Sequence, residues 1–193
     1  MLYCISPMTA IHLPEDDDAR RKLAQELASQ SDDRPESITD EEMSQIVALL
    51  RVSDVETRVQ AAEALQQLYD WPALFETVIS ELVEVGSTYP ENVDGIPAPQ
   101  SMMSSPELRT VTYVADSLAR VAQRDPSLFI PVADQIADAV VADDRTPKYY
   151  VFILGLIHDE APEAVPEAMI KNELCSLLDR GHGLGYPSWA ADT

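Results

Sequence analysis

The sequence predicts an all-α protein, and three observations point to this fold class. Apolar residues recur at helical spacing along most of the chain, most clearly over residues 53–68. The prolines at 72, 106, 126, 147 and 162 each stand at the start of a new apolar segment. A first-turn proline is tolerated there because its missing N–H would have no helical partner. Residues 71–75 (WPALF) and 125–129 (DPSLF) resemble each other, which indicates a repeated helical unit.

Helix starts are marked by local signals. An acidic run at Asp16, Asp17 and Asp18 opens a short polar helix that we expect to reach about residue 29; the helix dipole favours these carboxylates there, with a bound cation as the alternative. Residues 30–37 are interpreted as a linker. Thr39 with Glu42, and Ser53 with Glu56, have the spacing of capping boxes. Ser105 is expected to cap a helix over 106–124, and the apolar run near 148–158 to be the most buried element.

The internal repeat contains one long interruption. Residues 118–126 (LARVAQRDP) resemble 154–162 (LGLIHDEAP) at a shift of 36, whereas WPALF and DPSLF are 54 apart. The excess is about the length of the proline-rich stretch 86–105, which has no helical period. A loop of roughly twenty residues is uncommon in a compact domain unless it has a function or is disordered. We therefore interpret residues 86–105 as an insertion within one repeat.

A family resemblance follows from the segment that leads into the helix over 53–68. Two leucines, a short acidic turn and the pattern R-x-x-A-x-x-A-L at residues 58–65 resemble the second half of a HEAT repeat, and the likeness extends over about residues 39–180. The resemblance implies a right-handed α-α superhelix of about three and a half helical hairpins. It also implies a structural ladder that would include Arg58, Arg109 and Arg145 with the turn residues Asp54 and Asp143.

This interpretation divides the chain into three parts. Residues 1–37 form an N-terminal segment with a short polar helix, in which Met8 is an alternative start to Met1. Residues 38–181 form the solenoid with its inserted loop, and residues 182–193 form a tail. The third repeat departs from the family pattern because Tyr149 and Tyr150 stand where small residues are usual.

Charge restricts the possible partners. The net charge is −21 and only three residues are lysines, with the acidic excess spread along the chain. This composition is typical of proteins from salt-in halophiles such as haloarchaea, in whose cytoplasm salt screens self-repulsion; an ordinary acidic protein of a low-salt cytosol is the alternative. The strong negative charge argues against direct binding to nucleic acid or to anionic membranes. With two distant cysteines, Cys4 and Cys175, and no signal peptide or long apolar run, we expect a cytoplasmic protein.

No catalytic, cofactor-binding or metal-binding residue is predicted. His158 ends an apolar helix, and His182 lies in GHGLG, a glycine cluster that follows a helix and lacks the lysine of a phosphate-binding loop. Some HEAT-like proteins are DNA glycosylases, bilin lyases or hydroxylases, but the basic groove or the His-Glu pairs that these need are not found in the sequence. We therefore expect a protein without catalytic activity or cofactor, with a cofactor-handling enzyme as the alternative.

Binding of partner proteins is the function that the sequence favours. The second helix of each repeat, over about 54–69, 106–124 and 146–158, would line a concave surface. Its candidate binding residues are Glu63, Gln67, Asp116 and Arg120. The inserted loop adds Tyr89, Ile96, Met102 and Met103 as adaptable apolar contacts. The identity of the partner and the oligomeric state stay open, and a subunit whose apolar faces are completed by a larger assembly is a further alternative.

Overall fold

The computed structural model describes residues 11–88, 105–142 and 148–165, together with Met169 and Lys171. Within these ranges the protein is all-α and superhelical, and no strand occurs. Seven α-helices are described: α1 Asp17–Asp33, α2 Asp40–Leu49, α3 Val55–Gln66, α4 Ile79–Ser87, α5 Pro106–Arg124, α6 Ala133–Ala142 and α7 Lys148–Glu160. Three 3₁₀ segments, Pro35–Ser37, Pro72–Phe75 and Pro126–Val132, lie between them. In the part of the chain described, no helix is long and apolar enough to cross a membrane.

The helices form two layers. Helices α1, α3, α5 and α7 pack side by side in chain order, and we call them layer A. Helices α2, α4 and α6 lie against α3, α5 and α7 respectively, and we call them layer B. One hydrophobic core runs between the layers from Ala24 in α1 to Ile157 in α7. This arrangement of successive hairpins confirms the predicted all-α superhelix.

A proline and an apolar residue mark the start of each hairpin. Each 3₁₀ segment begins with its proline, and a further proline, Pro162, lies in a turn just after α7. Three residues after each proline comes a buried apolar side chain that anchors the segment in the core: Ile38, Phe75, Phe129 and Val165. Helices α4 and α6 begin 54 residues apart, at Ile79 and Ala133, and α5 and α7 end 36 residues apart, at Arg124 and Glu160. The repeat predicted from the sequence is therefore present in the fold.

Helix α1 belongs to this array. It continues to Asp33, four residues beyond the predicted end, and part of the expected linker is the 3₁₀ segment at Pro35. Ala24 and Leu27 join the common core, while Arg21 pairs with Asp54 at 3.3 Å and with Glu56 at 3.5 Å. The segment that follows α1, Pro35 with Ile38, repeats the pattern of Pro72 with Phe75, so a hairpin start follows α1 as it follows α3.

Two of the three predicted caps are confirmed. Thr39 and Glu42 form a complete capping box at α2, and the Ser105 side chain accepts from the Leu108 N–H at α5. The predicted cap at Ser53 was wrong by one residue. Asp54 caps α3 by accepting from the N–H of Thr57 at 3.1 Å and from its hydroxyl at 2.6 Å. A carboxylate both accepts these bonds and interacts favourably with the positive end of the helix dipole, so Asp54 is the better cap.

Among the described helices the most buried is α5, and the prediction that favoured α7 was wrong. All six residues from Val114 to Ala119 are buried, because α5 lies between α3 and α7 and packs on α4. In α7 the side chains of Tyr149, Phe152 and Leu156 stay half-buried. The prediction for α7 came from the apolar residues around its whole circumference. That pattern does not show where a helix stands in the array, and α7 lies near the end of the described array whereas α5 lies between two neighbours.

Gly86 and Tyr150 explain how the third repeat accommodates a tyrosine. Tyr150 is fully buried and donates its hydroxyl to the Val83 carbonyl at 3.0 Å. A Cβ at Gly86 would collide with the Tyr150 Oη and would lie 3.1 Å from a methyl group of Val114. The missing side chain at Gly86 in α4 therefore makes room for the tyrosine of α7.

Candidate partner-binding surface

Polar side chains from three hairpins converge on the outer face of layer A. Helix α5 supplies Asp116 and Arg120, α3 and its C-terminal turn supply Gln66 and Tyr69, and α7 supplies Tyr149. We call these five residues the central cluster. Their helices are consecutive members of the layer, so the cluster spans the seams between neighbouring repeats.

Asp116 is the centre of the cluster. Its Oδ2 accepts from Arg120 Nε at 2.9 Å and from Gln66 Nε2 at 3.4 Å. The residue is only 8% exposed, so its carboxylate is largely removed from water. A carboxylate with so little exposure requires compensating donors, and Arg120 and Gln66 supply two of them from different helices. The cluster therefore ties α3 to α5 as well as holding Asp116 itself.

Arg120 has an aromatic neighbour as well as an anionic one. Its guanidinium lies 5.1 Å from the centre of the Tyr69 ring, within the range of a cation–π interaction. One turn further along, Arg124 Nη2 pairs with Asp70 Oδ1 at 2.6 Å. Two arginines of α5 thus hold the turn that follows α3, and the Arg120 side chain keeps about a third of its surface exposed.

Tyr149 extends the cluster to α7. Burial raises the pKa of its hydroxyl to about 12, and the negative charge of Asp116 acts in the same direction. The positive charge of Arg120 opposes this rise, whereas a hydrogen bond to Asp116 adds to it. Tyr149 therefore keeps its proton at neutral pH, and its hydroxyl donates a hydrogen bond to the Asp116 carboxylate on the neighbouring helix.

The cluster offers several groups that can form hydrogen bonds and aromatic contacts with a ligand. It offers amide, guanidinium, phenol and carboxylate groups at a half-exposed aromatic surface, but it holds no serine, cysteine or histidine that would pair as nucleophile and base. The nearest described histidine in sequence, His158, points its Nδ1 at the Val165 carbonyl, 2.7 Å away. Among the residues described, no group of three His, Cys, Asp or Glu side chains is placed to hold a metal ion.

The structure brings together only some of the predicted binding residues. Asp116 and Arg120 are in direct contact, as members of one cluster. Glu63 and Gln67 lie on α3 and in its terminal turn, half-buried and exposed respectively, but the cluster contact comes from Gln66. The four predicted loop residues, Tyr89, Ile96, Met102 and Met103, lie outside the described residues.

Three members of the cluster were missed from the sequence. Gln66 is adjacent to the predicted Gln67, so the prediction was wrong by one position. Near the end of a helix, hydrophobic periodicity does not determine which of two neighbouring residues lies on a given face. Tyr69 lies in the turn after α3 and was not assigned to any face. Tyr149 carried a signal, since it was recognised as a departure from the small residues usual at that place in the repeat.

Two of the residues expected to form a structural ladder, Arg58 and Asp54, hold the turn between α2 and α3. Arg58 donates from Nη1 to the carbonyls of Val52 at 2.9 Å and Ser53 at 3.2 Å, which fixes the turn between α2 and α3. Asp54 caps α3, and its hydrogen bonds from Thr57, with Arg21 nearby, lower its pKa. Arg109 is half-buried in the first turn of α5. Asp143 and Arg145 lie outside the described ranges.

Comparison with known proteins does not assign this surface. No family model matches the chain, and neither a curated protein nor a solved structure matches it.

Proposed function

We propose that the chain is a non-catalytic scaffold of the HEAT-repeat type that binds a partner protein on the outer face of layer A. The predicted insertion 86–105 begins two residues too early, because Gly86 and Ser87 belong to α4. We propose that the rest of it, which follows α4 in the sequence, belongs to the same interface. We further propose that it works in the cytoplasm of a salt-accumulating organism.

The central cluster is the observation that carries this proposal. It places an arginine and two tyrosines, residue types enriched at interface hot spots, on one half-exposed face. Hydrogen bonds and an ion pair within the cluster hold these side chains in place before any partner arrives, which lowers the entropic cost of binding. The hairpin array supports the HEAT-type assignment, because stacked hairpins present a continuous face built from one helix of each unit.

Charge supports the proposed environment. Layer B contains seven acidic residues and no lysine or arginine, and the chain as a whole carries a net charge of −21. In dilute buffer this density opposes compaction, whereas at roughly 1 M salt the screening length falls to about 3 Å. Interfaces used at such salt depend on short-range contacts rather than on long-range attraction, as the aromatic and hydrogen-bonding groups of the cluster provide.

The test is recovery of partners at high salt with matched baits. A tagged chain would be purified from lysate of its own organism in roughly 1 M KCl, and co-purifying proteins would be identified by mass spectrometry. The face variant is Glu63→Arg, which places a charge beside the cluster without removing any cluster contact. The matched control is Asp138→Arg, which changes the charge equally on the exposed face of α6. A third bait lacks residues 89–103.

A stoichiometric partner that the control retains and the face variant loses would support the proposal. Loss with the deletion bait as well would include the inserted segment in the interface. Recovery of the same partner by all baits, or of none by the unaltered chain, would contradict the proposed interface.

A further inference from the structure

The C-terminal half of α5 carries two ion pairs in which the arginine is more exposed than its carboxylate. In the pair of Arg120 with Asp116, 31% of the arginine side chain is exposed, against 11% of the aspartate side chain. In the pair of Arg124 with Asp70 the exposed fractions are 57% and 44%. Both arginines contact the turn after α3, since Arg120 also lies over the Tyr69 ring. We call Arg120, Arg124 and Tyr69 the arginine strip.

The ion pairs within α1 have the opposite arrangement. Asp17 is more exposed than Arg20, and Asp18 is more exposed than Arg21. A partner that approached α1 would therefore meet carboxylates first, whereas a partner that approached the arginine strip would meet guanidinium groups. On a chain with a net charge of −21, the strip presents positive charge to the solvent.

The two guanidinium groups are spaced for a single ligand segment. Arg120 and Arg124 are four residues apart on α5, and side chains at this spacing lie on one face of a helix, with Cβ atoms about 5–6 Å apart. The ring of Tyr69 is half-buried, so it holds Arg120 in place and adds apolar surface beside it. An arginine has five N–H donors, and the pair with Asp70 involves Nη2 of Arg124, so this exposed side chain can also bind a second carboxylate.

We propose that the arginine strip binds an acidic helical segment of the partner protein, in which two carboxylates one turn apart pair with Arg120 and Arg124 and an apolar side chain covers the Tyr69 ring. This inference rests on the proposed function, because Arg120 and Tyr69 belong to the central cluster, and it gives the chemistry of the partner. Charge complementarity selects this occupant, since a basic segment would be repelled by the guanidinium groups. Hydrogen bonds between guanidinium and carboxylate act at short range, so they persist in molar salt, where long-range attraction is screened.

The probe is a rhodamine-labelled helical peptide with two glutamates four residues apart and a leucine on the same face. Its binding to the full chain would be followed by fluorescence anisotropy at roughly 1 M KCl. We expect saturable binding that Arg124→Gln weakens by about fivefold or more, because one of the two guanidinium contacts is lost. The matched control is Arg51→Gln, which makes the same change in charge at an exposed arginine in the turn after α2 and should leave the affinity within about twofold.

A rearranged peptide examines the spacing. It has the same composition, but its two glutamates are two residues apart and so lie on different sides of the helix; we expect it to bind at least about threefold more weakly. Circular dichroism would establish that both arginine variants are folded. Equal weakening by Arg124→Gln and Arg51→Gln, or equal binding of the two peptides, would overturn the inference in favour of general charge attraction. Absence of saturable binding would overturn it directly.

Partner recovery from lysate with Arg124→Gln as an additional bait separates this inference from the proposed function. Glu63 lies one turn before Gln66 on α3, whereas the strip contacts the turn that follows this helix, so the two variants alter different parts of the face. A partner that both variants lose would support both proposals. A partner that Glu63→Arg loses and Arg124→Gln retains would leave the proposed interface in place and overturn the acidic segment. Peptide binding without any recovered partner would support the strip and contradict only the proposed interface.

Discussion

The two layers of the solenoid differ in how they use charge. The four helices of layer A contain eight basic and eleven acidic residues, whereas the three helices of layer B contain seven acidic residues and no basic one. In layer A the charged side chains form pairs that cross from one helix to the next, such as Arg21 with Asp54. In layer B the one described cross-helix ion-pair network depends on Arg51, which lies in the turn after α2.

The paired charges of layer A help to hold the helices together, whereas the charges of layer B mainly interact with solvent. Some charges of layer A are partly buried and paired, as Asp116 is with Arg120, and Arg21 of α1 reaches across to Asp54 at the start of α3. These charges help to fix the geometry of the face that we propose as an interface. Most carboxylates of layer B face solvent, where they contribute hydration and negative charge. The general acidity of the chain is therefore not uniform, and each layer predicts a different response to mutation, pH and salt.

The contact between the layers gives the largest expected effect. Gly86→Ala would place a methyl group against Tyr150 Oη and a Val114 methyl, both buried. We expect the free energy of unfolding to fall by about 2–3 kcal/mol, as for other overpacked cores. Urea denaturation followed by circular dichroism would measure the loss.

A double-mutant cycle identifies the colliding atom. Tyr150→Phe alone should cost about 1 kcal/mol, since it removes the hydrogen bond to the Val83 carbonyl. In that background Gly86→Ala should cost clearly less than in the unaltered chain, because the Oη is gone. If the costs of the two changes were strictly additive, the destabilisation by Gly86→Ala would not come from a collision with the Tyr150 Oη.

The sequence predicted the hairpin array because its signals are local and repeated. Prolines at hairpin starts, the Thr39–Glu42 capping box and the paired phenylalanines at 75 and 129 depend only on neighbouring residues. The fold class and the period of the repeat could therefore be derived without coordinates. Helix α1 was expected only as a polar helix that caps the solenoid, outside its repeats, because few of its residues are apolar; Ala24 and Leu27 nevertheless join the common core.

The central cluster was only half predicted, for a physical reason. Asp116 and Arg120 are one turn apart on one helix, a spacing that sequence reveals. Gln66, Tyr69 and Tyr149 meet them through contacts between helices, and Gln66 is fifty residues from Asp116. Such contacts depend on the register between helices, which hydrophobic periodicity leaves undetermined by a residue or two.

Alkaline pH should act on layer A through Tyr149. The pKa of its hydroxyl is about 12 in the fold, against 10.0 for an unperturbed tyrosine. The folded state holds this proton more tightly than the unfolded state, so the resulting stability is complete below pH 10 and is lost as the pH rises towards 12. We expect a loss of about 2 kcal/mol over this range.

Urea unfolding at a series of alkaline pH values would measure this dependence. Tyr149→Phe should flatten the profile, while Tyr113→Phe, which removes a half-buried tyrosine of α5 outside the cluster, should retain it. If the free energy of unfolding fell with pH equally steeply in both variants, the pH dependence would belong to other groups and not to Tyr149.

A second glycine gives a smaller effect of opposite sign. Gly155 lies inside α7, and an added Cβ would meet nothing within 4 Å. Gly155→Ala should therefore raise the free energy of unfolding by about 0.5–1 kcal/mol, through restriction of the unfolded chain alone. The same denaturation assay measures it, and the variant is the matched control for Gly86→Ala. Destabilisation by Gly155→Ala would mean that this face of α7 is closely covered.

The smallest effects per residue, and the most direct test of the two-layer contrast, concern salt. Asp134 and Asp138 are exposed acidic residues of α6, and replacing each by asparagine should lower the KCl concentration needed for half-maximal stability. Each replacement relieves self-repulsion worth a few tenths of a kcal/mol in dilute buffer and nothing in molar salt, where screening already removes it.

Arg120→Met in layer A should behave differently, since it breaks a partly buried pair that salt screens weakly, and its cost should persist in molar KCl. Thermal unfolding across a KCl series would compare the variants. If both layers responded to salt alike, the acidic surface would act only as net charge, and the division of labour between the layers would have to be abandoned.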